Sequence, residues 1–390
     1  MKTTEDRDFL SFCRPTIGQE EIDEVVDTLH SDWLTTGPKT KRFEKAFAEY
    51  VGAEHAIAVN SCTAGLHLSL VAHGIGEGDE VIVPSLTFCA TANVVVHQRA
   101  KPVFADVDAV SYTLDPDAFE RAITPRTKAV IPVDYGGQVC DMPRINAIAA
   151  AHGITVIEDA AHAVGSALNG VRVGNLSRVT SFSFYATKNL TTGEGGMLTT
   201  NDAALAERVR VLALHGISAD AWKRYSKEGS WFYEVLWPGY KYNMTDIQAS
   251  LGLHQLQRLE GFVERRAAIA AEYTRAFADL SEIVTPIVRP GVHHAWHLYP
   301  IQLLQGRIRL DRSQFMAALA ERGVGASVHF IPVHLHPYYR DTFGTGRGDL
   351  PVTERVYDGF VSLPLFPSMT PREVAKVIDT VRDLVAGSRV

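Results

Sequence analysis

The chain has 390 residues, 46% of them hydrophobic and 21% charged, an ordinary globular composition with enough apolar matter for a large core. A net charge of -7 without any basic block gives no electrostatic footprint for nucleic acid or for a polybasic membrane contact. Cys13, Cys62, Cys89 and Cys140 show no CxxC spacing, the charged start has no signal-peptide apolar core, and no apolar run is long enough to span a bilayer; a cytoplasmic protein without zinc or disulfides is expected.

In chain order, Ile22, Val25, Val26 and Leu29 recur at helical spacing over 18–30, and the stretch 31–38 breaks that helix. A second helix carries Phe43, Phe47 and Tyr50 on one face. Short apolar runs at 56–59, 80–83, 102–105, 128–133, 154–157, 179–184 and 196–199 read as strands, separated by helical patterns at 63–74, 86–98, 116–122, 143–152 and 202–214. Strands buried on both faces read as continuous apolar runs, so an α/β fold with a mostly parallel sheet between helix layers is expected. Residues 216–242 show no period and contain Trp222, Trp231 and Trp237; so long a loop suggests function. A long helix is expected from near Thr245 to about Phe277, broken near Gly261, with a capping box at Thr245-Asp246-Ile247-Gln248. Beyond about 285 the pattern changes to a strand (296–303), a helix (311–322), a strand (325–330), a helix near 353–360 and a last helix (371–386). The expected division is a large domain over 1–250 and a smaller C-terminal α+β domain over 251–390, entered through the long helix.

The chemistry centres on Ser181-Phe182-Ser183-Phe184-Tyr185-Ala186-Thr187-Lys188, a strand with hydroxyls on one face and aromatics on the other, ending in a lysine. An amine held at a strand exit with its charge disfavoured is a good nucleophile, and Lys188 reads as a Schiff-base lysine for pyridoxal phosphate (PLP). Gly193-Glu194-Gly195-Gly196 reads as the bend that returns the chain to the sheet. Asp159 follows a buried strand at the end where open α/β sheets bind ligands; it suits a pyridinium nitrogen, and equally a helix N-cap. His162, one turn on, faces either the ring hydroxyl or the substrate, unless it is structural. Asn60-Ser61-Cys62-Thr63-Ala64 opens a helix after a strand, which suits a phosphate at Thr63 and Ala64 or an ordinary cap. Phe88 is either a ring stacker or core, and Asn243 either a phosphate donor or a cap. His329, His334 and His336 invite a metal reading, rejected because His334 and His336 have no partner carboxylate nearby in sequence; His329 is the best of the three to face a substrate.

Four stretches occur in order: Asp32-Trp33-Leu34-Thr35-Thr36-Gly37-Pro38, Glu158 to Gly165, Lys188 with Gly193 to Gly196, and Gly239 to Asp246. From about residue 10 to 385 the chain resembles the DegT/StrS sugar aminotransferases, and Ala295-Trp296-His297-Leu298 and Pro337-Tyr338-Tyr339-Arg340 are similar to the UDP-4-amino-4-deoxy-L-arabinose–oxoglutarate aminotransferase type. The resemblance implies a fold type I PLP enzyme and a homodimer with its active sites at the interface. It implies Lys188 as the cofactor lysine, Asp159 on the pyridine nitrogen and Ser183 on the phosphate, opposite Thr63 and Ala64. It further implies Phe88 on the ring, His162 near its hydroxyl and Asn243 reaching the neighbouring subunit's phosphate. Many members carry Gln in place of His162 and a bulkier aromatic in place of Phe88. The reaction it implies is amino transfer from L-glutamate to a keto nucleotide sugar, with Thr36, Arg224 (beside Lys223 and Lys227) and His329 as substrate candidates. Alternative acceptors are another keto sugar or a keto-cyclitol. A PLP sugar dehydratase of the same fold carries histidine in place of the lysine, so Lys188 counts against it.

Overall fold

A computed structural model describes residues 9–218 and 232–390. Its centre is a seven-stranded sheet in the order His55–Val59, Gly196–Thr200, Val179–Ser183, Thr155–Asp159, Thr127–Val130, Glu80–Pro84, Lys101–Ala105. Gly196–Thr200 is antiparallel to both neighbours and the remaining pairs are parallel, so six strands point their carboxyl ends the same way. Successive residues of one strand enter opposite cores. Ile82, Val156 and Met197 pack with Phe43 and Phe47 of helix Pro38–Val51; Val81, Val83, Ile157 and Leu198 pack with Leu66 of helix Cys62–Ala72 and Val209 of helix Ala203–Ala213. This is the expected sheet between helix layers, and it explains why the strands read as unbroken apolar runs.

Helix Asp246–Ala276 runs without a break for 31 residues. Leu253, Leu256, Leu259 and Val263 pack on the large core, while Ile269, Tyr273 and Phe277 enter a separate C-terminal core with Tyr299, Phe315 and Val377. The break expected at Gly261 is absent: packing on both sides outweighs the roughly 1 kcal/mol that a mid-helix glycine costs. The C-terminal part is a three-stranded antiparallel sheet, Ile283–Val284, Tyr299–Leu303 and Phe360–Leu363, covered by helices Arg312–Glu321 and Pro371–Gly387.

Two further expectations are corrected. The strand expected at 325–330 does not form; Val324 and Ser327 make only isolated bridges, to Leu10 and Ser362, and the third strand is Phe360–Leu363. Ser327, His329 and Phe330 of this segment line a cavity instead of a sheet. The helix expected from 86 starts at Ala90, because Ser85 to Phe88 form the strand exit. Helix Gln19–His30 forms, but it turns its apolar stripe outward, with Ile22 48%, Val26 44% and Leu29 57% exposed. Its buried side is polar: Glu21 accepts from Gln255 Nε2 and Arg258 Nη1, both at 2.8 Å.

Candidate active site

Five of the six co-directional strands end at one cavity of about 600 Å³. Its wall holds Ser61, Cys62 and Thr63 after the first of these strands in sequence, Thr87, Phe88 and Thr91 after the second, Val133 after Thr127–Val130, Asp159 and His162 after Thr155–Asp159, and Ser183 with Lys188 after Val179–Ser183. Co-directional strand ends gather these side chains because a parallel sheet puts all its exits on one edge.

The lysine strand follows its alternation. Phe182 and Phe184 turn to the core, their rings 5.0 and 5.5 Å from that of Phe47. Ser181 Oγ donates to Cys62 O at 3.1 Å, and Ser183 faces the cavity. The chain then bends, with Lys188 N–H donating to Tyr185 O at 2.9 Å and Thr192 N–H to Phe184 O at 3.0 Å. It re-enters the sheet as Gly196–Thr200. A Cβ on Gly196 would stand 2.6 Å from the Ser61 carbonyl carbon and 2.7 Å from Cys62 N, so only glycine lets this strand pass the turn beside Thr63.

Electrostatics set Lys188 and Asp159 apart. Burial disfavours the Lys188 charge and lowers its pKa to about 8, against the opposing pull of Cys62 and Asp159. Asp159 is buried, and burial raises its pKa against the hydrogen bonds that favour its ionised form. Thr91 Oγ1 donates to Oδ2 at 2.9 Å, Ala161 N–H to Oδ1 at 3.1 Å, and the Cys62 thiol lies 3.7 Å from Oδ1. The imidazoles of His162 and His297 stand 4.4 Å apart, both held well below their ordinary pKa by burial and by the neighbouring Lys188 charge. Gly136 N–H donates to His162 Nδ1 at 3.2 Å, which puts the ring proton of neutral His162 on Nε2.

The expected site residues do not all meet here. Thr63, Phe88, Asp159, His162, Ser183, Lys188 and His329 line the cavity. Phe88 sits at its mouth, 58% exposed, its ring 5.8 Å from that of Phe330. Ala64 is buried core, and its N–H is taken by the cap oxygen of Ser61 at 3.1 Å. Thr36 and Asn243 lie together in a separate cavity of about 400 Å³, where Asn243 Nδ2 donates to Thr36 Oγ1 at 2.7 Å. Arg224, Lys223 and Lys227 fall outside the described residues. His334 does have a carboxylate neighbour, Glu354 Oε1 at 3.2 Å, supplied from 20 residues further along the chain. Sequence reasoning missed Thr91, Cys62, His297, Phe330 and Glu194, all in the cavity wall. Position in the strand-exit stretches was the available signal for Cys62 and Thr91; His297 and Phe330 arrive from the C-terminal part, where His297 stood within the stretch Ala295 to Leu298 and Phe330 beside His329, but no period tied either to the strand exits.

The profile of the DegT/DnrJ/EryC1/StrS aminotransferase family matches residues 15–382. The chain belongs to this family. It is 54% identical over 381 residues to the spore coat polysaccharide biosynthesis protein SpsC of Bacillus subtilis, covering 97% of this chain and 98% of SpsC. Spr1654 from Streptococcus pneumoniae in its PLP form has a TM-score of 0.90 at 35% identity, covering 97% of this chain and 99% of that one; its PMP form scores 0.91 at 36%. PseC of Helicobacter pylori, an aminotransferase of pseudoaminic acid biosynthesis, scores 0.90 at 29% identity, covering 97% of this chain and 100% of PseC. This DegT/StrS chain is therefore a PLP-dependent aminotransferase, and its mostly parallel sheet is that of fold type I. The residues present fit the cofactor: a buried carboxylate with no ion-pair partner among the described residues and a lysine with a lowered pKa share one wall. No helix among the described residues is long and apolar enough to cross a membrane.

Proposed function

We propose that this aminotransferase moves the amino group of L-glutamate onto a keto nucleotide sugar, at a 4-keto carbon, for amino-sugar biosynthesis in the cytoplasm. The observation that carries the reading is the pairing of a lysine whose pKa is about 8 with the buried Asp159 carboxylate in one cavity of about 600 Å³. The names of SpsC and PseC support a sugar acceptor, and the stretches Ala295 to Leu298 and Pro337 to Arg340 favour the UDP-4-amino-4-deoxy-L-arabinose type.

Bound PLP supplies an aldehyde for an amine and a protonated ring that draws electrons from the reacting carbon. Asp159 holds the proton on the ring nitrogen, itself kept in place by Thr91 and Ala161 N–H. Lys188 would hold the cofactor, and its uncharged Nζ, favoured by a pKa of about 8, would take and return the proton at the amino-bearing carbon. Ser183 and Thr63, both in the cavity wall, would bind the phosphate. Phe88 would cover the ring, and the His162 Nε2 proton would orient the ring oxygen or the acceptor.

Lys188 is the one lysine or arginine among the described residues lining this cavity, yet both substrates and the cofactor phosphate are anions. This favours cations from 219–231 or from a second subunit, and with it a homodimer in which Asn243 and Thr36 serve the neighbouring site. The test offers L-glutamate and a panel of aminated nucleotide sugars to the PLP-loaded protein and follows its visible absorbance. Glutamate and a 4-amino nucleotide sugar are each expected to bleach it. Bleaching by amino-cyclitols and by no nucleotide sugar would replace the acceptor class, and turnover retained in Lys188→Ala would sink the role of Lys188.

A further inference from the structure

A second constellation of nucleophile type lies outside the cavity. Ser85 Oγ stands 2.7 Å from His334 Nδ1, and His334 Nε2 stands 3.2 Å from Glu354 Oε1. Serine, imidazole and carboxylate in this order are the parts of a hydrolytic triad. Burial excludes that use: Ser85 and His334 are 0% exposed and Glu354 6%. The serine oxygen is also occupied, since it accepts His334 N–H at 3.0 Å.

The hydrogen-bond directions close without conflict. Glu354 accepts N–H bonds from Gly348 at 2.7 Å and Leu350 at 3.3 Å, so its carboxylate takes the His334 Nε2 proton as a further donor. Nδ1 is then an acceptor and takes the Ser85 hydroxyl proton, leaving the serine lone pairs to His334 N–H. Ser85 O accepts Val333 N–H at 2.9 Å, which adds a backbone tie at the same point. Burial holds the imidazole below its ordinary pKa, with Glu354, Asp349 and Asp106 opposing, so it stays neutral near pH 7. Asp106, just past strand Lys101–Ala105, anchors the same region independently by accepting Val352 N–H at 3.0 Å and Thr353 N–H at 2.7 Å.

The position of these ties gives them a function. Ser85 begins the strand exit that carries Thr87 and Phe88, and His334 follows by four residues Phe330, which faces Phe88 across the cavity mouth at 5.8 Å. The two segments meet from sequence positions 249 residues apart. We propose that Ser85, His334 and Glu354 are positioning residues that lock the Phe88 segment to the His329–Phe330 segment, so fixing the wall against which the amino acceptor is oriented. None of the three lines the cavity; they act through Phe88, His329 and Phe330.

The inference rests on the two-substrate reading above, and its test separates the two. Ser85→Ala removes one hydroxyl; His334→Asn removes the link to Glu354. In each PLP-loaded variant the glutamate half-reaction and the reaction with a UDP-4-amino sugar are measured, together with PLP affinity. The expected result is a rise of about tenfold in the KM for the amino sugar, the size of one lost buried hydrogen bond, with a clearly smaller loss in the glutamate half-reaction and in PLP affinity, because Phe88 also belongs to the cofactor wall. Equal loss in both half-reactions, or no change in either, overturns the proposal. A substrate-free readout stands beside it. In a Phe88→Trp protein, adding Ser85→Ala is expected to increase acrylamide quenching of the new tryptophan; unchanged quenching overturns the lock. If the wild type reacts with no nucleotide sugar, the acceptor assignment fails and the quenching result still decides this one. If His334→Asn does not fold, Ser85→Ala carries both measurements.

Discussion

At the scale of single residues, Lys188 and Asp159 tune each other. The lysine's folded pKa is lowered to about 8, so its neutral, nucleophilic form grows as pH rises through that value. Capture of PLP by the apoprotein should therefore quicken about tenfold per pH unit below about 8 and level off above it, as read by stopped-flow absorbance. A rate flat from pH 6 to 9 would contradict it. Thr91 gives Asp159 its shortest hydrogen bond, at 2.9 Å, and itself lies 2.8 Å from Thr87 Oγ1. Removing the hydroxyl leaves the buried carboxylate under-solvated and raises its pKa further. Thr91→Val should weaken PLP binding by about tenfold, and Thr91→Ser should restore it, both measured by equilibrium titration of the apoprotein.

At the scale of elements, the start of helix Asp246–Ala276 is tied to the start of helix Pro38–Val51. Asp246 accepts Gly37 N–H at 2.8 Å, Lys39 N–H at 3.0 Å and Thr40 N–H at 2.9 Å. A carboxylate at a helix N-terminus satisfies orphan donors and meets the positive end of the dipole. Because Asp246 is buried, Asp246→Ala leaves three N–H groups without acceptors and should destabilise the fold by about 2–3 kcal/mol in urea unfolding. The same tie sets Thr36 and Asn243, which flank the two helix starts, beside each other. Glycine does comparable work at the bend after Lys188: Gly196→Ala should push the Ser61–Thr63 turn aside and lower PLP affinity, since the three atoms nearest its Cβ would all be backbone, within 2.7 Å.

At the scale of the whole molecule, a pair of buried acids lies beneath the site. Asp134 and Glu158 are both buried, burial raises both pKa values, and Asp134 N–H donates to Asp159 O at 3.1 Å. Glu158 Oε2 is held by Thr180 Oγ1 at 2.7 Å and Ser177 Oγ at 2.9 Å. A folded pKa above the unfolded value means the native state binds the extra proton. This contribution to stability is complete below the unfolded pKa of about 4 and is lost as pH rises toward the folded value. Glu158→Gln removes that loss, so its melting temperature relative to wild type should climb from pH 5 to pH 8. A constant difference across that range would show that the pair is not titrating.

The periods and runs of the sequence by themselves determined the α/β class and the seven strands of the main sheet, and they marked Lys188 and Asp159 as residues at strand exits. Those features are local: a strand's alternation, a cap, a lysine at a strand exit. The glycine-rich bend was legible as a return to the sheet, although the reason for Gly196, the nearby Ser61–Cys62 backbone, was not. Facing was decided only in three dimensions. Helix Gln19–His30 shows its spacing plainly, yet Ile22, Val26 and Leu29 point outward because Glu21 found Gln255 and Arg258 on a helix more than 200 residues away. The same holds for His334, which looked partnerless until folding brought it Ser85 and Glu354, and for Asn243 and Thr36, which share a cavity apart from Lys188. Hydrophobic period records how much of an element is apolar; which surface it meets depends on long-range packing, and that exists only once the sheet has closed its two cores.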